Sequence, residues 1–310
     1  DDALTEEVAR DMAPKATVGT GFTNNESLLL AGPIFQREGK PFLSIGATDP
    51  ALPTIVGDRV FLASFGDNTQ AAAAAEFSHR EFGDTTVVLW DSRTQYTLTL
   101  PQYFRRRFEE LDGKVLLNKS FSGDDLTSLG REISELPAPP AFVYLAAMPE
   151  HVGESIASLR AAGVEVPIVG GDGLDTPNVL KSESGPTSNV WFTTHAWLSS
   201  QSGTPRAKAF VQAYEKEYGH PPSDAFAALG YDAGHLLLDA IKRAEGNSPD
   251  QITAALEATS NFEGVTGNIS YGESQHVPLK TVWIVKVDGG EKSLAASLVP
   301  KSVPPPIVDE

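Results

Sequence analysis

Apolar residues fall into two alternating patterns along this chain. Short runs of consecutive apolar, often β-branched residues, such as "TTVVLWD" (85–91), "AFVYLAA" (141–147) and "VPIVGG" (166–171), read as buried strands. Between them lie longer stretches with helical composition or spacing, such as "NTQAAAAAEFSHREFG" (68–83) and "EHVGESIASLRAAG" (150–163). The same alternation starts earlier, with a helix at "TEEVARDMA", a strand at "ATVGTG", a helix at "NESLLLAGPIFQREG" and strands at "PFLSIGA" and "RVFLASF". It continues through a helix at "LTLPQYFRRRFEELDG", with Pro101 expected in the first turn. Asn68 or Thr69 is expected to cap the alanine-rich helix. After "NVWFTTHAW" the rhythm changes to three helices, "TPRAKAFVQAYEKEYG", "SDAFAALGYDAGHLLLDAIKRAEG" and "SPDQITAALEATS", followed by closing strands at "NISYGE" and "KTVWIVKVDGG". Strand–helix alternation predicts an α/β protein with parallel sheets covered on both faces. The proline-rich tail, 299–310, is expected to be extended or disordered.

Length changes the picture first: 310 residues fit two domains better than one. A formal charge of −17 argues against nucleic acid and anionic membrane as partners, because both are held by basic patches. There is no cysteine, so disulfides, thiolate catalysis and cysteine metal sites are excluded. No stretch reaches the roughly 18 apolar residues of a membrane span, and no signal peptide is visible.

Enzyme signatures are weak. Gly19 and Gly21 fit the start of a dinucleotide fingerprint, but Asn24 stands at the third glycine and Glu38 falls inside a helix. No phosphate-binding G-x-x-x-x-G-K-[ST] loop and no G-x-S-x-G nucleophile turn occur. The six histidines show no helical metal spacing, most of them read as surface or helix residues, and Asp172 in "GGDG" is a lone carboxylate. No cofactor and no metal are therefore expected.

What remains is the ends of the strands, where open α/β sheets bind ligands. Four polar clusters fall there: "FTNN" (22–25), "IGATDP" (45–50), "DSRTQY" (91–96) and "GGDGLD" (170–175). A helix starting near Asn25 aims its first N–H groups at the first cluster, which makes an anion site, and Thr48 can add a hydroxyl. Asp172 offers a negative charge to a cation. Together they suit a small zwitterion.

On these residues the chain resembles the type I periplasmic solute-binding proteins of ABC transporters, in particular the leucine/isoleucine/valine-binding branch. The resemblance is carried by "GATDPAL", "FGDNTQAAAAAEF", "DSRTQY", "VGGDGLDTP", "AKAFVQAYEKEYGHPPSDAFAALGYDAGHLLLDAIKRA" and "NFEGVTGNISY", which run in family order from residue 1 to about residue 288. It implies two Rossmann-like lobes joined by three crossing strands, with ligand held in the cleft between them. Crossings are expected near Phe65–Asn68, His195–Trp197 and Gly272–Gln275. Lobe one is then 1–66 plus 198–272, and lobe two 67–197 plus 273–310. The resemblance assigns the ligand carboxylate to Asn25, Gly46, Ala47 and Thr48, the ammonium to Asp172, and a flanking aromatic to Tyr96. Phe22, Asn24 and Met148 complete the expected ligand-binding set. Asn25 replaces a serine usual in the leucine binders, and a tyrosine often found near Ala147–Met148 is missing. Phe22 and Trp90 are open as pocket walls or core, and Arg93 as partner of a second carboxylate or a solvent residue.

The resemblance further implies a periplasmic or cell-surface receptor, not an enzyme, working without a cofactor and partnered by ABC permease subunits. The same fold used as a sensing domain is the alternative. Family members begin with a strand, a helix and a second strand that this chain lacks. The sequence is therefore expected to be truncated at its start, with the signal peptide gone too.

Overall fold

The computed structural model describes residues 2–123, 125–272 and 275–308. The chain divides into two compact units: Asp1–Gly66, Leu198–Lys280 and Pro306–Glu310 form unit 1, and Asp67–Trp197 with Thr281–Pro305 form unit 2. In chain order the elements begin with α1 (Asp2–Met12), β1 (Gly19–Gly21), α2 (Asn25–Arg37), β2 (Phe42–Ser44), α3 (Leu52–Val56) and β3 (Val60–Leu62). Unit 2 follows with α4 (Asp67–Glu81), β4 (Thr85–Asp91), α5 (Gln95–Glu110), β5 (Lys114–Phe121), α6 (Thr127–Ser134), β6 (Phe142–Ala146), α7 (Val152–Ala161) and β7 (Ile168–Gly170). A small hairpin of β8 (Lys181–Ser182) and β9 (Gly185–Pro186) precedes β10 (Val190–Thr194). The chain then returns to unit 1 with α8 (Pro205–Tyr218), α9 (Phe226–Arg243), α10 (Pro249–Glu257), β11 (Phe262–Gly264) and β12 (Gly267–Ile269). Finally β13 (Val282–Asp288) and β14 (Glu291–Leu298) complete unit 2.

In unit 1, β1, β2 and β3 pair in parallel in that order. Successive side chains of a strand point to opposite faces, and both faces are covered. Phe42, Val60 and Leu62 meet Leu28, Ala31 and Phe35 of α2, while Leu43 and Phe61 meet Ala233, Leu236 and Leu237 of α9.

Unit 2 has a seven-stranded sheet in the order β14-β13-β10-β7-β6-β4-β5. The five from β10 to β5 are parallel, and β13 and β14 join antiparallel. Here the alternation explains the run "FVYL": Val143 and Leu145 enter one core with Ile156 and Leu159 of α7. Phe142 and Tyr144 take the other face, where Tyr144 stacks on Phe104 of α5 at 3.7 Å between ring centroids. All four tryptophans, Trp90, Trp191, Trp197 and Trp283, belong to unit 2.

Several expectations are revised. Helix α5 starts at Gln95 rather than Leu98, because Thr94 is extended and its side chain caps the N–H of Thr97 at 3.3 Å, so Pro101 lies inside the helix. Helix α4 starts at Asp67, which leaves Asn68 and Thr69 within it. The amide of Asn68 instead donates to the Pro304 carbonyl at 2.8 Å, and Glu76 accepts from the Lys301 N–H at 2.9 Å. The proline-rich segment is thus extended and pinned along α4. Strand β14 was not anticipated, since "EKSLAASL" alternates polar and small residues with exposed positions. The third boundary falls at Lys280/Thr281 and not after 272. His276 and Lys280 keep that segment in unit 1, His276 by stacking on Phe61 at 4.0 Å and Lys280 by donating to the Ala63 carbonyl at 2.9 Å. Of the expected crossing Gly272–Gln275, residues 273 and 274 lie outside the described residues.

One tight contact is testable. Gly153, in the first turn of α7, packs so closely that a methyl group there would collide with the carbonyl oxygens of Lys181 and Asn178. Both are backbone atoms that cannot rotate away. Gly153→Ala should cost about 1–3 kcal/mol of stability, read as a lowered denaturant midpoint.

Candidate functional site

Parallel pairing places the carboxyl ends of β1 and β2 at one edge of the unit 1 sheet. Asn24, exposed, is the N-cap of α2: its Oδ1 accepts from the Ser27 N–H at 2.8 Å. Asn25 is the first helical residue and is only 2% exposed. Its Oδ1 accepts from the backbone N–H of Thr48 at 3.0 Å and of Asp49 at 3.2 Å. Its Nδ2 is buried with no acceptor among the described residues. Thr48 is nearly buried too, and its hydroxyl has no partner among the described residues.

The other unit 1 candidates build the turn. The Gly46 N–H donates to the Phe22 carbonyl at 3.0 Å, and the Ala47 N–H to Ser44 Oγ at 3.2 Å. Gly46 packs under the Phe226 ring, with room for little more than hydrogen. Phe22 has a left-handed backbone (φ 62°), is half-buried, and packs against the core by stacking on Phe42 at 5.6 Å. The backbone N–H groups of Gly46, Ala47 and Thr48, residues that the resemblance assigned to the ligand carboxylate, therefore have internal acceptors. The Asn25 amide and the Thr48 hydroxyl remain as side-chain donors with no acceptor among the described residues.

At the matching edge of unit 2, the segments after β4, β6, β7 and β10 bring Tyr96, Met148, Asp172 and His195 to the same end of the sheet. Asp172 is 3% exposed. Its Oδ1 accepts from Gln70 Nε2 at 2.7 Å and from the Tyr96 hydroxyl at 2.9 Å, and its Oδ2 lies 3.0 Å from His195 Nε2. A carboxylate is acceptor-only, so Nε2 of His195 carries the proton of that bond. Burial pushes the Asp172 carboxyl up, but the hydrogen bond and charge of His195, with the Gln70 and Tyr96 donors, outweigh it and hold the group below the usual carboxylate range.

Gln70, in the first turn of α4, is the centre of this cluster. Its Nε2 also donates to Asp67 Oδ1 at 2.8 Å, and its Oε1 accepts from the Asp172 N–H at 2.9 Å and the Thr193 hydroxyl at 2.7 Å. The Tyr96 hydroxyl accepts from the Gly173 N–H at 2.9 Å as well as donating to Asp172. Burial, then the charges of Asp172 and Asp67, push that hydroxyl well above the ordinary tyrosine value. The glycines of "GGDG" have a steric purpose: a Cβ at Gly171 would stand 2.5 Å from the Tyr96 oxygen. Met148 is half-buried and its Sδ accepts from the Thr94 hydroxyl at 3.3 Å. Arg93 is held on Asp91, its Nε 2.8 and 3.0 Å from the two carboxylate oxygens, and Trp90 donates to Asn118 Oδ1 at 3.2 Å.

Sequence reading missed Gln70, His195 and Thr193. His195 follows directly on β10 and could have been found by extending the strand-end rule to that strand. It is fully buried, as His276 nearly is, so these two are not surface residues. Among the described residues no group of three or more histidines and acids is placed to hold a metal ion.

Comparison with known proteins agrees with this architecture. The family model described as periplasmic binding protein matches residues 2–292, and the chain belongs to that family. Leu/Ile/Val-binding protein homolog 1 of Brucella suis is 24% identical over 255 residues, spanning 82% of this chain and 67% of that protein. The leucine-binding protein LivK of Thermotoga maritima superposes with a TM-score of 0.86 at 28% identity, covering 97% of this chain and 85% of its own. LivJ of Streptococcus pneumoniae, solved with isoleucine, gives 0.82 at 25% identity over 96% and 84%. The fold is that of the type I periplasmic binding proteins, a family of substrate-binding proteins and not of enzymes. Membership implies an extracytoplasmic location, and no helix among the described residues is long and apolar enough to cross a membrane.

Proposed function

We propose that the chain is an ABC-importer receptor that captures a small carboxylate, an amino acid or a related acid, and delivers it to the permease subunits. The observation that carries this reading is the buried Asn25 amide, with its Nδ2 unpaired among the described residues, at the start of a thirteen-residue helix. Backbone N–H groups and the helix dipole favour an anion at that point. Thr48, held to Asn25 through its own backbone N–H, supplies a hydroxyl.

A thermal-shift screen against amino acids and small organic acids at millimolar concentration tests the reading, since a ligand that binds only the folded state raises the melting point. A shift with carboxylates and none with the matching amides is expected; shifts indifferent to the carboxylate would refute it. Thr48→Val should weaken the tightest carboxylate by about 1–3 kcal/mol without lowering the melting point of the free protein.

A further inference from the structure

We infer that Ser64 is a positioning residue of the unit 1 anion site: through one peptide plane it fixes both the Thr48 hydroxyl and the end of the Asn25 amide that a carboxylate meets. This deepens the receptor reading above and rests on it. Parallel register brings Ser64 to the site. Ser44, the last residue of β2, pairs with Leu62, the last of β3, and the Ala63 N–H donates to the Ser44 carbonyl at 2.9 Å. Pairing thus continues one residue past β3 and sets Ser64 beside the turn that follows β2. The Ser64 hydroxyl donates to the Ala47 carbonyl at 2.6 Å, and both residues are fully buried.

That carbonyl belongs to the peptide that joins Ala47 to Thr48. The N–H of the same peptide donates to Asn25 Oδ1 at 3.0 Å. A trans peptide is a rigid plane whose C=O and N–H point in opposite directions. Ser64 and Asn25 therefore grip one plate from its two sides. Holding the plate holds the Thr48 Cα, and with it the place from which the Thr48 hydroxyl reaches out. The plate also decides which end of the Asn25 amide is left for a ligand. A carboxamide carries an acceptor oxygen and a donor nitrogen of similar shape. The N–H groups of Thr48 and Asp49, 3.0 and 3.2 Å from Oδ1, require an acceptor, so the oxygen turns to them and the Nδ2 donor is left for the anion. If the plate rotates, that requirement lapses. The amide can then present its oxygen, which repels a carboxylate. Ser44 steadies the preceding peptide by accepting from the Ala47 N–H at 3.2 Å, but the carbonyl on the Thr48 side rests on Ser64. Removing the Ser64 hydroxyl leaves a buried carbonyl without that donor, and the plate gains a reason to turn.

The first measurement needs no ligand. Hydrogen exchange of the full chain, followed by NMR at the Thr48 and Asp49 N–H groups, compares the unmodified protein with Ser64→Ala and Ser64→Thr. Exchange at these two positions should be about ten-fold faster or more in Ser64→Ala and close to unmodified in Ser64→Thr, with β1, β2 and β3 unchanged. Unchanged exchange at Thr48 and Asp49 would overturn the inference, and so would equal acceleration throughout the three strands, which would make Ser64 a general packing residue. The second measurement is calorimetric titration with leucine, 4-methylpentanoate and benzoate. Ser64→Ala should weaken the tightest of the three about ten-fold, and Ser64→Thr should restore it. Full affinity in Ser64→Ala would overturn the inference and leave the receptor reading standing. Binding of none of the three to the unmodified chain would overturn the receptor reading, and this inference with it.

Discussion

Asn25→Asp should abolish carboxylate binding while leaving the protein folded. The substitution is nearly isosteric. It keeps the oxygen that accepts from the Thr48 and Asp49 N–H groups, and it places a negative charge at a helix N-terminus, where charge is tolerated. What it removes is the Nδ2 donor, and what it adds is an anion facing an anion. Loss of a charge-assisted hydrogen bond and gain of buried like-charge repulsion together should cost about 3 kcal/mol or more, over a hundred-fold in affinity. Calorimetry with the tightest acid from the screen, alongside a melting curve, checks both halves. Retained affinity would show that the carboxylate binds elsewhere. A collapsed melting curve would show that Asn25 is needed for folding alone.

Asp232→Ala should be the most destabilising change in unit 1. Asp232 is buried on α9 and accepts from the N–H groups of Val265 (2.7 Å) and Thr266 (2.8 Å) and from the Thr266 hydroxyl (2.6 Å). Thr266 in turn accepts from Lys280, which is 2% exposed. Alanine leaves two buried N–H groups and a buried ammonium uncompensated, at a cost of about 3–5 kcal/mol, a large part of a typical domain's stability. Urea unfolding followed by far-ultraviolet circular dichroism measures it. The same cluster has a pH signature. Burial, opposed by the charge of Asp232, pulls the Lys280 ammonium down to about 8. Between that value and the ordinary 10.5 the unfolded chain binds the proton and the folded chain does not, so this group's contribution to stability rises with pH across that window. Below about 8 both states are protonated and the contribution is flat. Lys280→Met should remove the rise, visible as urea midpoints that no longer climb from pH 8 to pH 10.

The alternating pattern made the α/β class and most elements legible, because buried parallel strands must be continuously apolar and their covering helices must not be. Boundaries were less legible. Thr94 and Asp67 start their helices earlier than apolar spacing suggests, since capping depends on one side-chain rotamer. The strand-end rule points to Asn25, Thr48, Tyr96 and Asp172 as candidates, but not to what their atoms are bonded to. Whether Asp172 is open to a ligand or consumed by Gln70 and His195 depends on contacts spanning 102 and 23 positions, which no local window contains. The Asp232–Thr266–Lys280 cluster escaped for the same reason: each residue alone reads as a surface charge or a polar turn.

The placement of the tryptophans gives the two units different optical labels. With all four in unit 2, indole emission follows that unit alone, while unit 1 is visible only through its tyrosines, Tyr214, Tyr218, Tyr231 and Tyr271, and its helices. Loss of unit 1 in an Asp232 variant would therefore be dark to fluorescence and plain in ellipticity. Monitoring both signals in one titration would resolve which half of the molecule gives way first, without attaching any probe.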